Sequence, residues 1–370
     1  MTATAAALAP RPEARAGRVR ALTPADLPAV ARLHALAFPA RRMGAAEVEQ
    51  YLAEIFCGHP WQDDALPSLV YESRPGHVSG CLGVMPRPML FRGRPITAAI
   101  SHHFMVEPHQ RATLAAVHLV RAFLSGPQQL SMAEGNDLSR KFWEGLHGTT
   151  SFLYSLHWFR PLRPAGWALA MSGWPRPVRT LAQPLAAAID AVVRRSGRGW
   201  SAAPPADLLT APLDTATLAA AFEAGRDARA LVPKYDGASL RWLLQVLTGK
   251  TSSGDLQQVA VRDSRGRLIG WYLYYLRPGR AGEVLQIGGP PQHAAATFDH
   301  LLAHAHARGA VALSGRLEPP LVPVLAARRC LFRAGASWML VHSSNRDLVD
   351  AIHRGDALLS PLEGEWWMSA

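Results

Sequence analysis

One order of predicted elements occurs twice along the chain, and this repeat constrains the fold more than any other feature of the sequence. The first half gives strands over 68–73, 77–85 and 96–106, a helix after Pro108, a strand over 129–134, a helix over 137–146 and a strand over 151–159. The second half gives strands over 259–261, 268–276 and 284–287, a helix over 294–307, a strand over 311–314, a helix over 321–328 and a strand over 337–342. Strands and helices that alternate in this way form mixed sheets covered by helices. We therefore predict an α/β fold, with mixed sheets of the α+β kind, in two similar domains in tandem.

Changes in composition place the expected domain boundaries. Residues 1–17 are rich in Ala, Pro and Arg and lack periodicity, so we expect them to be disordered. The first domain then covers 18–164, a bridge rich in Pro, Ala and Arg covers 165–212, and the second domain covers 213–370. The bridge contains one predicted helix, Leu185 to Arg195, which we expect to pack between the domains. Its basic end, which includes Arg194 and Arg195, would also suit a membrane surface.

Charge and cysteine usage narrow the functional classes. The formal net charge is +11, which favours anionic ligands. Because the arginines are scattered rather than clustered, the pattern does not favour a nucleic-acid groove, which stays a weaker alternative. Cys57, Cys81 and Cys330 lie far apart with no CxxC pair, which excludes a disulfide framework and a cysteine zinc site. No stretch approaches the roughly 18 apolar residues of a membrane span, and no signal-peptide pattern is present. We therefore expect a cytoplasmic protein.

The segment from Ile100 to Leu119 is the most informative part of the sequence for chemistry. A predicted strand ends at Val106, Pro108 breaks it, and small residues after Arg111 open a helix. The first turn of a helix leaves main-chain N–H groups without partners inside the helix. Such groups attract anions, so the segment predicts a binding site for a phosphate or diphosphate.

This segment resembles the GNAT acyltransferase superfamily, in which a strand ending Val-x-Pro leads to Arg/Gln-x-x-Gly-x-Gly/Ala. Arg111 stands at the family's Arg/Gln position and Ala116 at its last small residue, whereas Leu114 stands where the family prefers Gly. Residues 19–30 resemble the family's opening strand and helix, and residues 136–148 resemble its Asn-x-x-Ala-x-x-Leu-Tyr segment. The second half resembles only the scaffold, so we predict a degenerate GNAT-like domain there.

The resemblance implies an N-acyltransferase that uses acetyl-CoA, or another acyl-CoA, as co-substrate and needs no metal. The acceptor would be an amine on a small molecule or a polymer, and the oligomeric state is left open. The residues that the resemblance implies for CoA binding are Met105, Val106, Arg111, Ala112, Thr113, Leu114, Ala115, Ala116, Asn136 and Trp143.

An amine acceptor with a pKa of about 10 needs a general base. His102 is the first candidate, because it lies on the strand beside which family members often place such a base. Glu134 and Glu107, at strand ends, are alternatives, and strand alternation predicts that His103 points to the opposite face. Trp143 stands at the family's frequent tyrosine position and cannot act as an acid, so Tyr154 is the nearby phenol candidate.

The departures from the family pattern leave a second interpretation open. Leu114 and Trp143 remove groups that the reaction normally uses, which would suit a catalytically inactive CoA-binding or scaffold protein. His300 and His304 are four residues apart on one predicted helix, but no third ligand accompanies them, so we predict no metal site. The acidic and aromatic segment from Glu363 to Trp367 is interpreted as a terminal strand or docking segment.

Overall fold

The structure is a computed structural model, and it describes residues 17–39, 44–108, 115–195, 207–335 and 337–368. The helices are α1 (Leu27–Ala37), α2 (Ala45–Cys57), α3 (Ala115–Leu124), α4 (Asp137–Gly145), α5 (Pro164–Met171), α6 (Arg176–Arg195), α7 (Thr215–Ala224), α8 (Gly237–Gly249), α9 (Ala294–Ala307), α10 (Val322–Ala327) and α11 (Arg346–His353). The strands are β1 (Arg18–Ala21), β2 (Leu69–Arg74), β3 (His77–Phe91), β4 (Arg94–Val106), β5 (Leu130–Gly135), β6 (Thr149–Ser151), β7 (Leu156–Pro161), β8 (Leu209–Pro212), β9 (Leu231–Pro233), β10 (Asp255–Arg262), β11 (Leu268–Leu276), β12 (Ala281–Gly288), β13 (Ala312–Arg316), β14 (Leu331–Ala334) and β15 (Trp338–His342). Over these described ranges, no helix is both long and apolar enough to cross a membrane.

The long hairpin of β3 and β4 is the frame of the first sheet. A two-residue turn, Arg92 and Gly93, joins the strands, and both residues have positive φ, 49° and 76°. This is the conformation that matches the twist of paired strands, and Gly93 adopts it without steric cost. The strand order is β1-β2-β3-β4-β5-β15-β6, with β9 paired to β3, and within it only β4 and β5 run parallel to each other.

Helices cover both faces of this sheet. The apolar side chains of α1 and α2, among them Val30, Leu33 and Leu52, pack on one face, and those of α3, among them Leu119 and Phe123, pack on the other. The first face also contacts α8, whose buried leucines belong to the same apolar core. The core between the two halves of the chain is therefore continuous.

The second sheet has the order β14-β7-β13-β12-β11-β10-β8, with β12 and β13 parallel. Helix α9 packs Phe298, Leu301 and Leu302 on one face of this sheet. Two mixed sheets with helices on their faces confirm the predicted α/β class.

The two sheets exchange strands between the halves of the chain. β7 comes directly after β6 but lies in the second sheet between β14 and β13, whereas β15 lies in the first sheet between β5 and β6. Neither sheet therefore comes from one continuous segment. The domain boundaries expected from composition stay predictions, and the bridge of 165–212 contributes α6, most of α5 and the edge strand β8.

Candidate functional site

A gap opens between β4 and β5 near the middle of the first sheet. Their parallel pairing runs from Ala98 opposite Leu130 to Ser101 opposite Ala133. Beyond that point β4 continues beside β3 to Val106, while β5 continues beside β15. Strands that part in this way leave main-chain polar groups on their facing edges, and such groups need partners. The gap can therefore accept an extended polar chain.

A β-bulge in β4 lies at the edge of this gap. The register with β3 shifts between Cys81 and Gly83, and His103 in the bulge has a positive φ of 46°. The extra residue turns the His103 side chain towards His102, with 2.9 Å between the two Nδ1 atoms. The sequence-based prediction that His103 points to the opposite face is therefore wrong, because strict alternation fails at a bulge.

Beyond the bulge, β4 turns the main chain of Val106 towards the gap. The N–H of Glu107 donates to the Ser79 carbonyl of β3 at 2.9 Å. Because successive residues of a strand direct their main-chain groups to opposite edges, those of Val106 face away from β3. The Met105 side chain is buried in the core. The structure therefore places the backbone of this predicted cofactor-binding segment at the gap.

His102 is enclosed completely by protein. Its ring lies over Gly83, where a Cβ atom would come within 2.2 Å of the imidazole, and Phe56 meets it edge-on at 4.9 Å between ring centroids. Burial holds the pKa of His102 well below its ordinary value, and the neighbouring histidines add to this effect. Its Nε2 atom is buried and has no hydrogen-bond partner within the described residues. His102 is therefore a neutral imidazole with one unused nitrogen.

His103 connects this imidazole to α2 and to the segment 360–368. The Tyr51 hydroxyl lies 3.4 Å from His103 Nε2 and donates to the main-chain carbonyl of Met368. The rings of Tyr51 and His103 are 5.8 Å apart between centroids. Both ring nitrogens of His103 thus face polar neighbours.

Glu134 lies on β5 across the gap from His102, and the second half of the chain holds it. Arg316 of β13 forms an ion pair with its Oε1 atom at 2.7 Å, and both side chains are nearly inaccessible, with 6% of Glu134 and 4% of Arg316 exposed. The main-chain N–H of Glu365 donates to the same oxygen at 3.1 Å. Burial, and then the Glu134 carboxylate, raise the pKa of Glu365 well above its ordinary value. The ion pair of Glu134 and Arg316 thus connects the two sheets.

The segment 360–368 crosses the gap from Glu134 to the histidine pair. It contacts Glu134 through Glu365 and ends, within the described residues, where Met368 accepts from Tyr51. Trp367 and Met368 are buried. The sequence predicts a docking segment here, but it does not indicate that the segment docks on the site, because its partners are distant in sequence.

Tyr154 and Trp143, two further predicted site residues, are buried in the core. Tyr154 is 1% exposed, and its hydroxyl donates to the Ala357 carbonyl at 2.5 Å and accepts from the Ala357 N–H at 3.1 Å. Burial raises the pKa of this phenol far above its ordinary value. Trp143 fills the space beside Gly148, and its indole donates to the Val341 carbonyl at 3.1 Å. Both aromatic side chains therefore have structural partners.

The remaining residues predicted to bind CoA are Asn136 and those at and before the start of α3. The Asn136 side chain accepts from the N–H groups of Leu138 and Ser139, and thereby caps α4. Ala115 and Ala116 are buried at the start of α3. Arg111, Ala112, Thr113 and Leu114 lie outside the described residues, so the anion-binding loop stays a prediction.

Two further candidates are occupied by local contacts. The Glu107 carboxylate lies within hydrogen-bond distance of His77, with 3.2 Å between Oε2 and Nε2. His300 contacts the hydroxyls of Thr210 and Tyr272, and His304 contacts that of Tyr274. Within the described residues no group of three or more His, Cys, Asp or Glu side chains could hold a metal ion.

Comparison with known proteins identifies the fold. No family model matches the sequence, and no curated protein matches it. The structure is similar to a conserved protein of unknown function from Enterococcus faecalis, described as a probable N-acyltransferase, with a TM-score of 0.60 and 12% identity over 92% of this chain and 74% of that one. It is also similar to GCN5-related N-acetyltransferases from Anabaena variabilis and Kribbella flavida. The first has a TM-score of 0.60 and 12% identity over 88% of this chain and 72% of that one. The second has a TM-score of 0.54 and 13% identity over 88% and 70%.

At such low identity these likenesses concern the fold alone. The resemblance predicted from the segment after Ile100 is confirmed to that extent. The protein therefore has the fold of the GCN5-related N-acetyltransferases.

Proposed function

We propose that the protein is an acyl-CoA-dependent N-acyltransferase, with acetyl-CoA as the expected donor and an amine as the acceptor. The observation that carries the proposal is the gap where β4 and β5 part, with a neutral imidazole at its edge. An acyl-CoA supplies an activated thioester, which an amine can attack directly. The cytoplasm is the expected location, since Cys57, Cys81 and Cys330 are free thiols.

The chain offers main-chain groups to an extended thioester arm. The peptide groups of Val106 face the gap, and α3 begins at Ala115, shortly after β4 ends. The family resemblance assigns the loop between them, with Arg111, to the diphosphate. Strand N–H groups at the gap would polarise the acyl carbonyl, because hydrogen-bond donors fixed in a dry site stabilise a developing oxyanion.

The contacts of His102 distinguish its two ring nitrogens. Its Nδ1 atom lies 2.9 Å from His103 Nδ1, whereas its Nε2 atom is buried and has no hydrogen-bond partner within the described residues. We infer that this atom is the general base.

Glu134 is less suited to this role, because its Oε1 atom already accepts from Arg316 and from the Glu365 N–H. In the proposed reaction the amine nitrogen forms a bond to the acyl carbon, the carbon–sulfur bond breaks, and the amine proton passes to His102 Nε2. A thiol with a pKa near 8.5 leaves as thiolate with little help. The Tyr154 phenol, which is occupied by Ala357, is therefore not needed.

Thiol release from acetyl-CoA in the presence of a panel of amines tests the proposal. His102→Gln should lower kcat at least about 100-fold, as expected for the loss of a general base, with the affinity for acetyl-CoA unchanged. His300→Gln is the matched control, since His300 is also buried but lies on α9. Absence of both acetyl-CoA binding and turnover would refute the acyltransferase, and full activity of His102→Gln would refute the assigned base.

A catalytically inactive acyl-CoA-binding protein is the second candidate. The observation that favours it is the complete enclosure of His102, together with the passage of the segment 360–368 across the gap. Thermal stabilisation by acetyl-CoA without turnover of any amine would support this alternative.

A further inference from the structure

A cavity of about 630 Å³ lies between α5, α6 and two turns of the second sheet. The turns are 278–280, just before β12, and 309–311, just before β13. Binding sites for small organic molecules have volumes of about 300–1,000 Å³, so the cavity has room for such a ligand. Its lining contains four arginines, which we call the cavity arginines: Arg163, Arg176, Arg179 and Arg280.

Helix α6 turns its charged side, and not its apolar side, towards this cavity. Arg176 and Arg179 are three residues apart and therefore lie on one face of the helix. Leu181 and Leu185 lie on the opposite face, where they are 82% and 66% exposed. The expectation that this helix packs between domains is therefore wrong for its apolar side chains. The side of α6 that faces the protein is the one that carries arginines.

The charge of the cavity lining is positive. Asp190 is the one acidic residue in the lining against four arginines, which gives a net charge of +3. Both carboxylate oxygens of Asp190 already accept hydrogen bonds, from the N–H groups of Ala165 and Gly166 at 2.8 and 2.9 Å. Within the described residues, none of the cavity arginines forms an ion pair with a carboxylate. Like charges around one cavity repel each other, and a bound anion relieves this repulsion.

Two of the cavity arginines have buried donors without acceptors. The Nε atoms of Arg163 and Arg179 are buried and have no hydrogen-bond partner among the residues that the structure describes. Arg163 donates from Nη2 to the His306 carbonyl at 2.9 Å, which restricts the orientation of its guanidinium group. A buried donor without an acceptor is unfavourable, so oxygen atoms of a ligand are favourable neighbours for these groups.

The main chain fixes two of the cavity arginines at the end of the second sheet. The N–H of Arg163 donates to the Val311 carbonyl at 2.9 Å, and the N–H of Val311 donates to the Arg280 carbonyl at 3.1 Å. Arg163 and Arg280 are therefore held on either side of Val311, while Arg176 and Arg179 come from α6. A ligand in the cavity contacts both the sheet and the helix.

We propose that this cavity is a second binding site, for a small organic molecule that carries a diphosphate or two phosphate groups. One guanidinium group donates two parallel hydrogen bonds to a phosphate, so four arginines suit more than one phosphate group. Leu169, Ala186 and Val311 add apolar surface to the lining, which suits a carbon skeleton. The concave shape favours a small molecule over a nucleic acid.

The cavity and the candidate active site lie at opposite ends of β13. Val311, just before this strand, lines the cavity, whereas Arg316, its last residue, forms the ion pair with Glu134. At roughly 3.3 Å per residue, these two ends are about 17 Å apart along the strand. The cavity is therefore separate from the gap between β4 and β5, and the proposal does not depend on the acyltransferase activity.

Isothermal titration calorimetry of the full chain with inorganic pyrophosphate tests the proposal. Pyrophosphate should bind at least about tenfold more tightly than inorganic phosphate, because it can contact more of the cavity arginines. The double variant Arg179→Gln and Arg280→Gln should bind pyrophosphate at least about 100-fold more weakly, since it removes two charged hydrogen-bond donors. An excess of acetyl-CoA, which competes for the loop assigned to the CoA diphosphate, should leave this binding in place.

A matched double variant and a second cavity variant complete the test. Arg94→Gln and Arg265→Gln make the same charge change at exposed arginines near two hairpin turns, so pyrophosphate affinity should be unchanged. Ala187→Glu adds a carboxylate to the lining without removing an arginine, and it should also weaken pyrophosphate binding. Removal of like charges should leave the Tm of the cavity double variant, without ligand, at or above that of the wild type.

Four results would overturn the proposal. They are absence of pyrophosphate binding, loss of this binding in excess acetyl-CoA, equal affinity of the two double variants, and wild-type affinity of Ala187→Glu. Displacement of pyrophosphate by single-stranded DNA would also overturn it, because the cavity arginines would then bind a nucleic acid.

Discussion

Gly83→Ala directly tests the packing on which the candidate base depends. An ideal Cβ at this position would lie 2.2 Å from Cε1, 2.4 Å from Nδ1 and 2.6 Å from Nε2 of His102, whereas ordinary contact begins at 3.4 Å. The φ angle of Gly83 is not positive, so alanine causes no backbone strain there. The imidazole must therefore move by about 1 Å. That movement breaks its 2.9 Å hydrogen bond to His103.

The expected loss of stability follows from these contacts. Overpacking of a buried site costs about 1–3 kcal/mol, and loss of one buried hydrogen bond adds about 1 kcal/mol. Gly83→Ala should therefore lower the free energy of unfolding by about 2–4 kcal/mol, measured by urea denaturation. In a His102→Ala background the ring is absent, and the same substitution should raise stability by about 0.5–1 kcal/mol, because alanine restricts the unfolded chain more than glycine does.

Gly80→Ala is the control on the same strand. Its Cβ would lie 3.1 Å from Leu119 Cδ1, the flexible end of a side chain, so the loss should stay below about 1 kcal/mol. The reasoning is refuted if Gly83→Ala costs as much in the His102→Ala background as in the wild type, since the two residues would then not be coupled.

Three further predictions concern polar contacts around the site. Glu134→Gln leaves Arg316 buried without its counter-charge and should cost about 3–5 kcal/mol in urea unfolding. Adding Arg316→Met should recover most of this loss, and an equal loss in the double variant would contradict the ion pair. Tyr154→Phe removes the contacts to Ala357 and should cost about 1–3 kcal/mol with no change in kcat. A reduced kcat at unchanged stability would instead indicate a catalytic role for the Tyr154 phenol. Burial, and then the charge of Arg87, lower the pKa of His59 to about 4. As the pH falls from 6.5 to 4, the unfolded chain therefore binds a proton that the folded chain does not. Over this range the free energy of unfolding of the wild type should fall by about 3 kcal/mol more than that of His59→Gln. If the free energies of unfolding of the two proteins changed equally with pH, this prediction would be wrong.

Local chemistry explains the parts of the fold that the sequence predicts well. The turn at Arg92 and Gly93 lies between two long apolar strands, and the structure has a tight hairpin there. Asn136 precedes the predicted helix of 137–146, and its side chain caps α4 as this residue type does elsewhere. These features depend on neighbours within a few residues, so single-sequence reasoning can find them.

The sequence could not predict the exchange of strands, because an apolar strand pattern defines a buried face and not a neighbour. β7 and β15 both have the pattern of buried strands, and nothing in either segment indicates that its partners lie in the other half of the chain. The position of His103 was missed for a related reason. A bulge adds one residue to the register of β4, and its sequence of two histidines carries no turn signal.

The second sheet is part of the candidate site, although only the first half of the chain resembles the family in its motifs. Arg316, which neutralises Glu134, comes from β13, and the segment 360–368 reaches both Glu134 and Tyr51. β15 supplies the strand beside β5 on the side away from the gap. Because a buried carboxylate without a partner is costly, the burial of Glu134 depends on the contacts that the second sheet and the segment 360–368 supply. The electrostatics at the gap therefore depend on both halves of the chain. The second half lacks the family's CoA-binding motif, but its contacts with Glu134 and Tyr51 do not involve that part of the chain.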